Sequence, residues 1–243
     1  MLHEMPRRHR RVRWVAIQTA IVTAGVFIYF QIRGLTSSDP VAAHAHAWDV
    51  VGLERWLGVD VEATAQGPLL VRPWLATAAN WIYIWGHWPV IIATMVWLAW
   101  RHRREFLRLR DAMLVSGAVG LVVFVTFPVA PPRLVHSGLV DTITLQSRSY
   151  RVLQPPNFTN QYAALPSLHA GWDLLVGIAI ATATSWTALR LLAGLLPVLM
   201  AYAVVATANH YVLDVVAGML LALAGYAIAL WRERRIDRAG SSP

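Results

Sequence analysis

The sequence predicts an all-α integral membrane protein: six transmembrane helices, an extracytoplasmic interfacial helix and a capping loop. Three observations carry that expectation. Of the 243 residues 57% are hydrophobic and only 14% charged, with a mean hydropathy of +0.48, far from the balance of a soluble domain of this length. Six apolar runs approach or exceed the about 20 residues that a helix needs to cross a bilayer. The arginines gather at alternate ends of those runs.

The elements follow in chain order. Residues 1–13 are a basic N-terminus, residues 14–231 the membrane domain and residues 232–243 a basic tail. The six spans are expected at 14–32, 74–100, 112–130, 168–184, 188–207 and 211–231. On the side of the termini stand Arg7, Arg8, Arg10, Arg11 and Arg13, then Arg101, Arg103, Arg104, Arg108 and Arg110, then Arg190, and last Arg232, Arg234, Arg235 and Arg238. The opposite side carries Arg33, Arg55, Arg72, Arg133, Arg148 and Arg151, although its two loops are much longer. By the positive-inside rule both termini are cytoplasmic and the long loops extracytoplasmic. Trp14, Trp74, Trp100, Trp172, Trp186 and Trp231 lie near span ends, where amphipathic rings prefer the headgroup level. A cleaved leader is the alternative for the first span, but Ala43-His44-Ala45 stands too far beyond it to serve as the cleavage site.

Residues 49–60 read as a short interfacial helix, with Val50, Leu53 and Leu57 as its apolar stripe and Gly58 near its stop. Residues 131–165 read as a loop able to cap a site, because Pro131-Pro132 and Pro155-Pro156 break helix and polar residues fill the interval.

Composition also narrows the partners. A net charge of +8 invites nucleic acid, but the arginines flank apolar runs and form no single basic face. All 21 basic residues are Arg, for which codon usage is the plain reading. With no Cys, neither a disulfide framework nor a thiolate metal site is possible. His44 and His46 form a His-x-His pair without a further ligand set, and no metal or other cofactor is expected.

Two histidines carry the chemistry. His169 opens the fourth span and His210 the sixth, and each has a carboxylate four residues on, Asp173 and Asp214, on its own helix face. A carboxylate there can hold one ring nitrogen protonated and leave the other free to attack. Ionisable groups within membrane helices cost about 2.5 to 3.5 kcal/mol each, which argues for use. Arg133, at the outer end of the third span, shares the membrane face of both histidines, so the three can converge on one anion. Ser167 and the free amides at the start of the fourth helix add anion contacts. Spacing leaves open which histidine is the nucleophile. His87, inside an aromatic run, reads as a packed core residue.

Three segments, Ala130-Pro131-Pro132-Arg133, Asn160-Gln161-Tyr162-Ala163-Ala164-Leu165-Pro166-Ser167-Leu168-His169 and His210-Tyr211-Val212-Leu213-Asp214, stand in this order at outer helix ends. In this they resemble the type-2 phosphatidic acid phosphatase superfamily, and within it the branch of the inositol phosphorylceramide synthases and their bacterial relatives. The resemblance runs from about Trp81 onward, with a weaker likeness at Glu54-Arg55-Trp56-Leu57-Gly58. It implies phosphoryl transfer on a lipid phosphate through a phosphohistidine, in the plasma membrane of a bacterium. His210 would be the nucleophile, Asp214 its orienting group and His169 the acid for the leaving oxygen, while Arg133 and Ser167 would bind the phosphate. The chain departs from the superfamily pattern at three positions: Thr126 replaces a Lys, Leu134 a Pro and Val204 an Arg. Those losses favour the transferase branch over simple hydrolysis, with Arg148 or Arg151 as replacement charges. A channel or transporter, the rival from another class, predicts acids scattered at midplane. An intramembrane serine protease built on Ser167 would want a Gly-x-Ser-Gly context that is absent.

Overall fold

The computed structural model describes residues 7–35, 39–146 and 160–240, and within them the architecture is helical throughout. Arg7–Leu35 forms α1. Pro40–Leu57 forms α2, which starts where the Asp39 carboxylate accepts the Val41 N–H at 2.9 Å and stops at Gly58, whose φ of +72° few side chains tolerate. Then follow α3 (Glu62–Val71), α4 (Pro73–Trp85), α5 (Trp88–Arg101) and α6 (Arg103–Thr126). Two short turns, α7 (Pro132–Val135) and α8 (Thr142–Gln146), precede α9 (Leu168–Ala183), α10 (Thr187–Ala206) and α11 (Val212–Gly240).

Among the described residues four helices are long and apolar enough to cross a membrane: the Arg11–Ile32 part of α1, and α6, α10 and α11. The pair α4 and α5 passes that test only together, bent by 41°, and counted as one span raises the number to at most five where the sequence predicts six. The bend has a local cause. Pro89 in the first turn of α5 has no N–H to offer the Trp85 carbonyl, and its ring crowds that carbonyl, so the helix breaks across Gly86 and His87. The remaining expected span, α9, is apolar but has 16 residues. At 1.5 Å per residue it rises about 24 Å, short of the about 30 Å hydrocarbon core.

That short helix is the centre of the molecule. It packs on α10, α11, α6 and α5, with Leu175 and Val176 almost wholly enclosed. Two glycines let it approach α11 closely: a Cβ on Gly218 would fall 2.0 Å from the Ser167 carbonyl oxygen, and one on Gly171 2.4 Å from the Gly218 oxygen. The outward faces are the reverse, with Phe27, Ile92, Leu191, Val198 and Leu220 exposed. Apolar surface on this scale needs a nonaqueous neighbour, and the chain is a multi-pass membrane protein.

The helix expected over residues 49–60 is longer than expected. α2 begins at Pro40 rather than near Asp49, and Leu53 and Leu57 are each about half exposed. The face covered by protein is Ala43, Ala47, Val50, Val51 and Glu54, so that of the expected stripe Val50 alone is buried there. A carboxylate sits on that face because its Oε1 accepts the Leu213 N–H at 2.8 Å, at the start of α11. Glu62 of α3 accepts the neighbouring Val212 N–H at 3.2 Å. Far from these caps, Arg108 pairs with Glu233 at 2.7 Å and Arg232 with Asp111 at 3.0 Å, joining the arginine-rich ends of α6 and α11.

Candidate active site

The last turn of α10 sets the site. Ala208, wholly buried, adopts φ +57°, a left-handed conformation that costs an alanine about 1 to 2 kcal/mol. It reverses the chain, so that the Asn209 and His210 N–H groups both return to the Val204 carbonyl and His210 is delivered to the start of α11. The Ala208 carbonyl in turn accepts the Arg133 N–H at 3.1 Å, which fixes α7 beside it. Between these elements Val129 and Ala163 form a parallel bridge. Val129 N–H donates to the Tyr162 carbonyl at 2.8 Å, and Ala164 N–H donates back at 3.2 Å.

That bridge places the Ala164 carbonyl 2.8 Å from His210 Nδ1. A carbonyl only accepts, so Nδ1 carries the proton and Nε2 keeps its lone pair. Asp214, the orienting group expected from sequence, lies on the same helix face but farther off, its Oδ2 being 3.4 Å from Nδ1. The same oxygen accepts the Tyr211 N–H at 2.9 Å. Asp214 is wholly buried.

His210, His169 and Arg133 line one cavity of about 390 Å³, together with Asn160, Asn209 and Asp141. The His169 and His210 ring centroids are 6.0 Å apart. Arg133 is held from two sides, with Nη1 donating to Asn209 Oδ1 and Nε to Asp141 Oδ2 at 3.1 Å. Ser167 falls elsewhere: it is wholly buried, does not line the cavity, and its Oγ caps α9 by accepting the Ala170 N–H at 3.5 Å. Arg148 and Arg151 lie outside the described residues.

His87 is packed among aromatic rings, as the run around it leads one to expect, but it also borders the site. It lines the same cavity, and its ring centroid is 4.3 Å from that of His169. Asp173, four residues after His169, accepts the His87 Nδ1–H with its Oδ1 at 2.8 Å. The two His–Asp repeats, equivalent in spacing, are therefore different in space. The available signal was the helix-breaking Gly86-His87-Trp88-Pro89, which turns a side chain out of the regular helical register.

Other histidines have structural partners. His46 Nδ1 hydrogen-bonds the Pro128 carbonyl at 2.8 Å and its ring stacks on Phe127, while His44 Nδ1 bonds the Pro40 carbonyl at 2.7 Å. Among the described residues, the group with metal-ligand proximity is Glu54, Asp60 and Glu62, whose oxygens lie within 4.8 Å of one another outside the histidine cavity. Burial chiefly, and Glu62 in addition, push the Glu54 carboxyl up to about 8 against the opposing Leu213 N–H.

An apolar cavity of about 900 Å³ adjoins the polar one, lined by α1, α5 and α6 and sharing Tyr29, Tyr83, Trp88, His169 and Trp172 with it. A site that joins an arginine- and imidazole-lined chamber to an apolar chamber suits an amphiphile with an anionic head. No curated protein and no solved structure matches the chain. A family model described as PAP2 superfamily matches residues 48–228, well over half of the sequence, including His87, Arg133, His169 and His210. The chain thus belongs to the PAP2 superfamily, the family that its three motifs resemble.

Proposed function

We propose that this protein transfers a phosphoryl group, or a phosphoinositol-type group, between lipid substrates through a phosphohistidine at the extracytoplasmic face. Membership of the PAP2 superfamily suggests phosphatase or phosphotransferase chemistry on lipid phosphates, and the site supports the finer reading. The observation that carries it is the His210 ring: Nδ1–H is held by the Ala164 carbonyl at 2.8 Å, and the basic Nε2 belongs to a ring that lines the cavity with Arg133 and His169. Nε2 attacks phosphorus, the P–O bond to the leaving group breaks, and His169 supplies that oxygen with a proton. Arg133 grips the non-bridging oxygens; its planar fork matches phosphate, and Asn209 and Asp141 prevent it from swinging away. The 900 Å³ chamber takes the hydrocarbon chain.

Transfer is favoured over hydrolysis by the two lost basic positions. Val204 is wholly buried against neighbouring helices, which leaves no place for the superfamily's Arg, and Thr126 spends its hydroxyl on the Val122 carbonyl. A sparser clamp suits the synthase-like branch, where an ordered acceptor hydroxyl replaces water.

The test uses purified protein in detergent with a phospholipid donor, isotope-labelled inositol and a range of lipid alcohols. A phosphorylated or phosphoinositol-bearing product should exceed free phosphate, vanadate should inhibit, and His210→Ala should abolish both turnover and covalent label. Release of free phosphate alone, indifferent to every acceptor, would make the protein a lipid phosphatase.

A further inference from the structure

The mechanism above leaves one buried imidazole–carboxylate pair unused. His87 is 3% exposed and Asp173 fully enclosed, yet the His87 ring borders the cavity that holds His169 and His210. A carboxylate is not carried into the middle of a helix bundle without cost; the penalty is several kcal/mol unless a partner offsets it. The Oδ1 of Asp173 meets His87 Nδ1 at 2.8 Å, while Oδ2 makes no hydrogen bond. Asp173 is thus committed to this one ring. The hydrogen bond places the proton on Nδ1, so that Nε2 is the basic nitrogen, the state that a general base requires. A carboxylate in that position also stabilises the imidazolium that forms when the base takes up a proton.

In-line displacement fixes where such a base is needed. The leaving oxygen departs opposite His210 Nε2, and the acceptor oxygen must enter from the same side, into the space just vacated. As the acid for the leaving oxygen His169 belongs to that side, and the His87 ring lines the same cavity with its centroid 4.3 Å from that of His169 and with Trp88 and Trp172 packed around it. We propose that His87, oriented by Asp173, is a third catalytic imidazole, the base that takes the acceptor's proton when the phosphohistidine is discharged.

This assignment rests on the phosphohistidine reading, and its proton balance closes. In the first half, His210 Nε2 bonds to phosphorus, the P–O bond breaks, and His169 protonates the departing oxygen. In the second, the acceptor oxygen bonds to phosphorus, the P–N bond breaks, and the acceptor's proton passes to His87 Nε2. Transfer of that proton to the adjacent His169 restores the acid. One proton leaves with the first product and one arrives with the acceptor.

The two half-reactions separate in a rapid-quench experiment with ³²P-labelled short-chain phosphatidate as donor and excess inositol as acceptor in detergent micelles, stopped in alkali, which preserves phosphohistidine. With His87→Gln, lipid alcohol should appear in a burst stoichiometric with enzyme while steady turnover falls roughly 10²- to 10⁴-fold and alkali-stable label accumulates on the protein. The burst itself shows that the variant is folded. Asp173→Asn, which keeps the side-chain size but not the charge, should shift the balance the same way by a smaller factor, and decides the question alone if His87→Gln does not fold. Discharge as fast as in wild type, or equal slowing of both halves without accumulated label, would overturn the assignment. Release of lipid alcohol with no alkali-stable label in wild type or in any variant would instead remove the phosphohistidine, and the role of His87 with it.

Discussion

His210 and Asp214 stand one helical turn apart, but the nearest acceptor for the His210 Nδ1–H is the Ala164 carbonyl at 2.8 Å rather than the carboxylate at 3.4 Å. In serine proteases, Asp→Asn at the orienting position costs about 10⁴-fold because the wrong tautomer is imposed. Here the carbonyl keeps the tautomer whatever stands at 214. Asp214→Asn should therefore lower phosphoenzyme formation by well under that factor, on the order of 10- to 10²-fold, the loss being field stabilisation of the imidazolium. Rapid-quench rates on the variant check this; a loss near 10⁴-fold would return the orienting role to Asp214. Glu54 supplies a second residue-scale prediction. Its carboxyl titrates near 8 in the folded chain against an ordinary 4.5, so between those values the folded chain holds a proton that the unfolded chain has released. The stability it contributes is complete below about 4.5 and is lost as pH rises through 8. Thermal unfolding in detergent should show a midpoint that declines over this window, and Glu54→Gln should flatten the decline.

At the scale of elements, the approach of α9 to α11 decides whether His169 and His210 share a chamber. Ser167 N–H donates to the Asp214 carbonyl at 2.9 Å, and Gly218 makes room for the Ser167 backbone. Gly218→Ala would put a methyl 2.0 Å from a carbonyl oxygen, and backbone on both sides cannot yield as a flexible side chain would. The helices must separate, and misplacing catalytic groups by about 1 Å costs about 10²-fold. Activity on a lipid phosphate should fall at least that far, while Gly194→Ala, with open space around its Cβ, should leave it unchanged. The break between α4 and α5 acts in the same way. A continuous helix over residues 74–100 is what hydropathy predicts, but Pro89 severs it, and His87 sits at the break with φ −96° and ψ −91° to meet Asp173.

For the whole molecule, the arrangement of arginines and the position of α9 lead to a topology that can be tested. The arginine-rich ends of α6 and α11 are joined by Arg108–Glu233 and Arg232–Asp111, at the opposite ends of these helices from the site. If α9 crosses the membrane inside its sheath of longer helices, Ser137 and Ser185 lie on opposite sides. Both are exposed and the chain has no native Cys. In intact cells Ser137→Cys should react with a membrane-impermeant maleimide, and Ser185→Cys only after permeabilisation. Labelling of both without permeabilisation would reduce the crossings to five, and the reverse pattern would move the site to the cytoplasm.

Apolar run length, the arginine asymmetry and the three motifs determined by themselves that this is a helical membrane protein of the PAP2 superfamily, with His169, His210 and Arg133 at one chamber. These properties are local: each follows from residues close in sequence, and hydropathy and helix ends are read over short windows. The rest depended on contacts between distant segments. Ala164, 46 residues from His210, supplies its hydrogen-bond acceptor, and Asp141 and Asn209 hold Arg133 from two separate loops. Asp173 turns to His87, 86 residues away, although its spacing points equally to His169. Period 3.6 places two side chains on one helix face, but which partner a buried carboxylate takes is settled by the neighbouring helix that presents a donor to it, and only the packed bundle determines that.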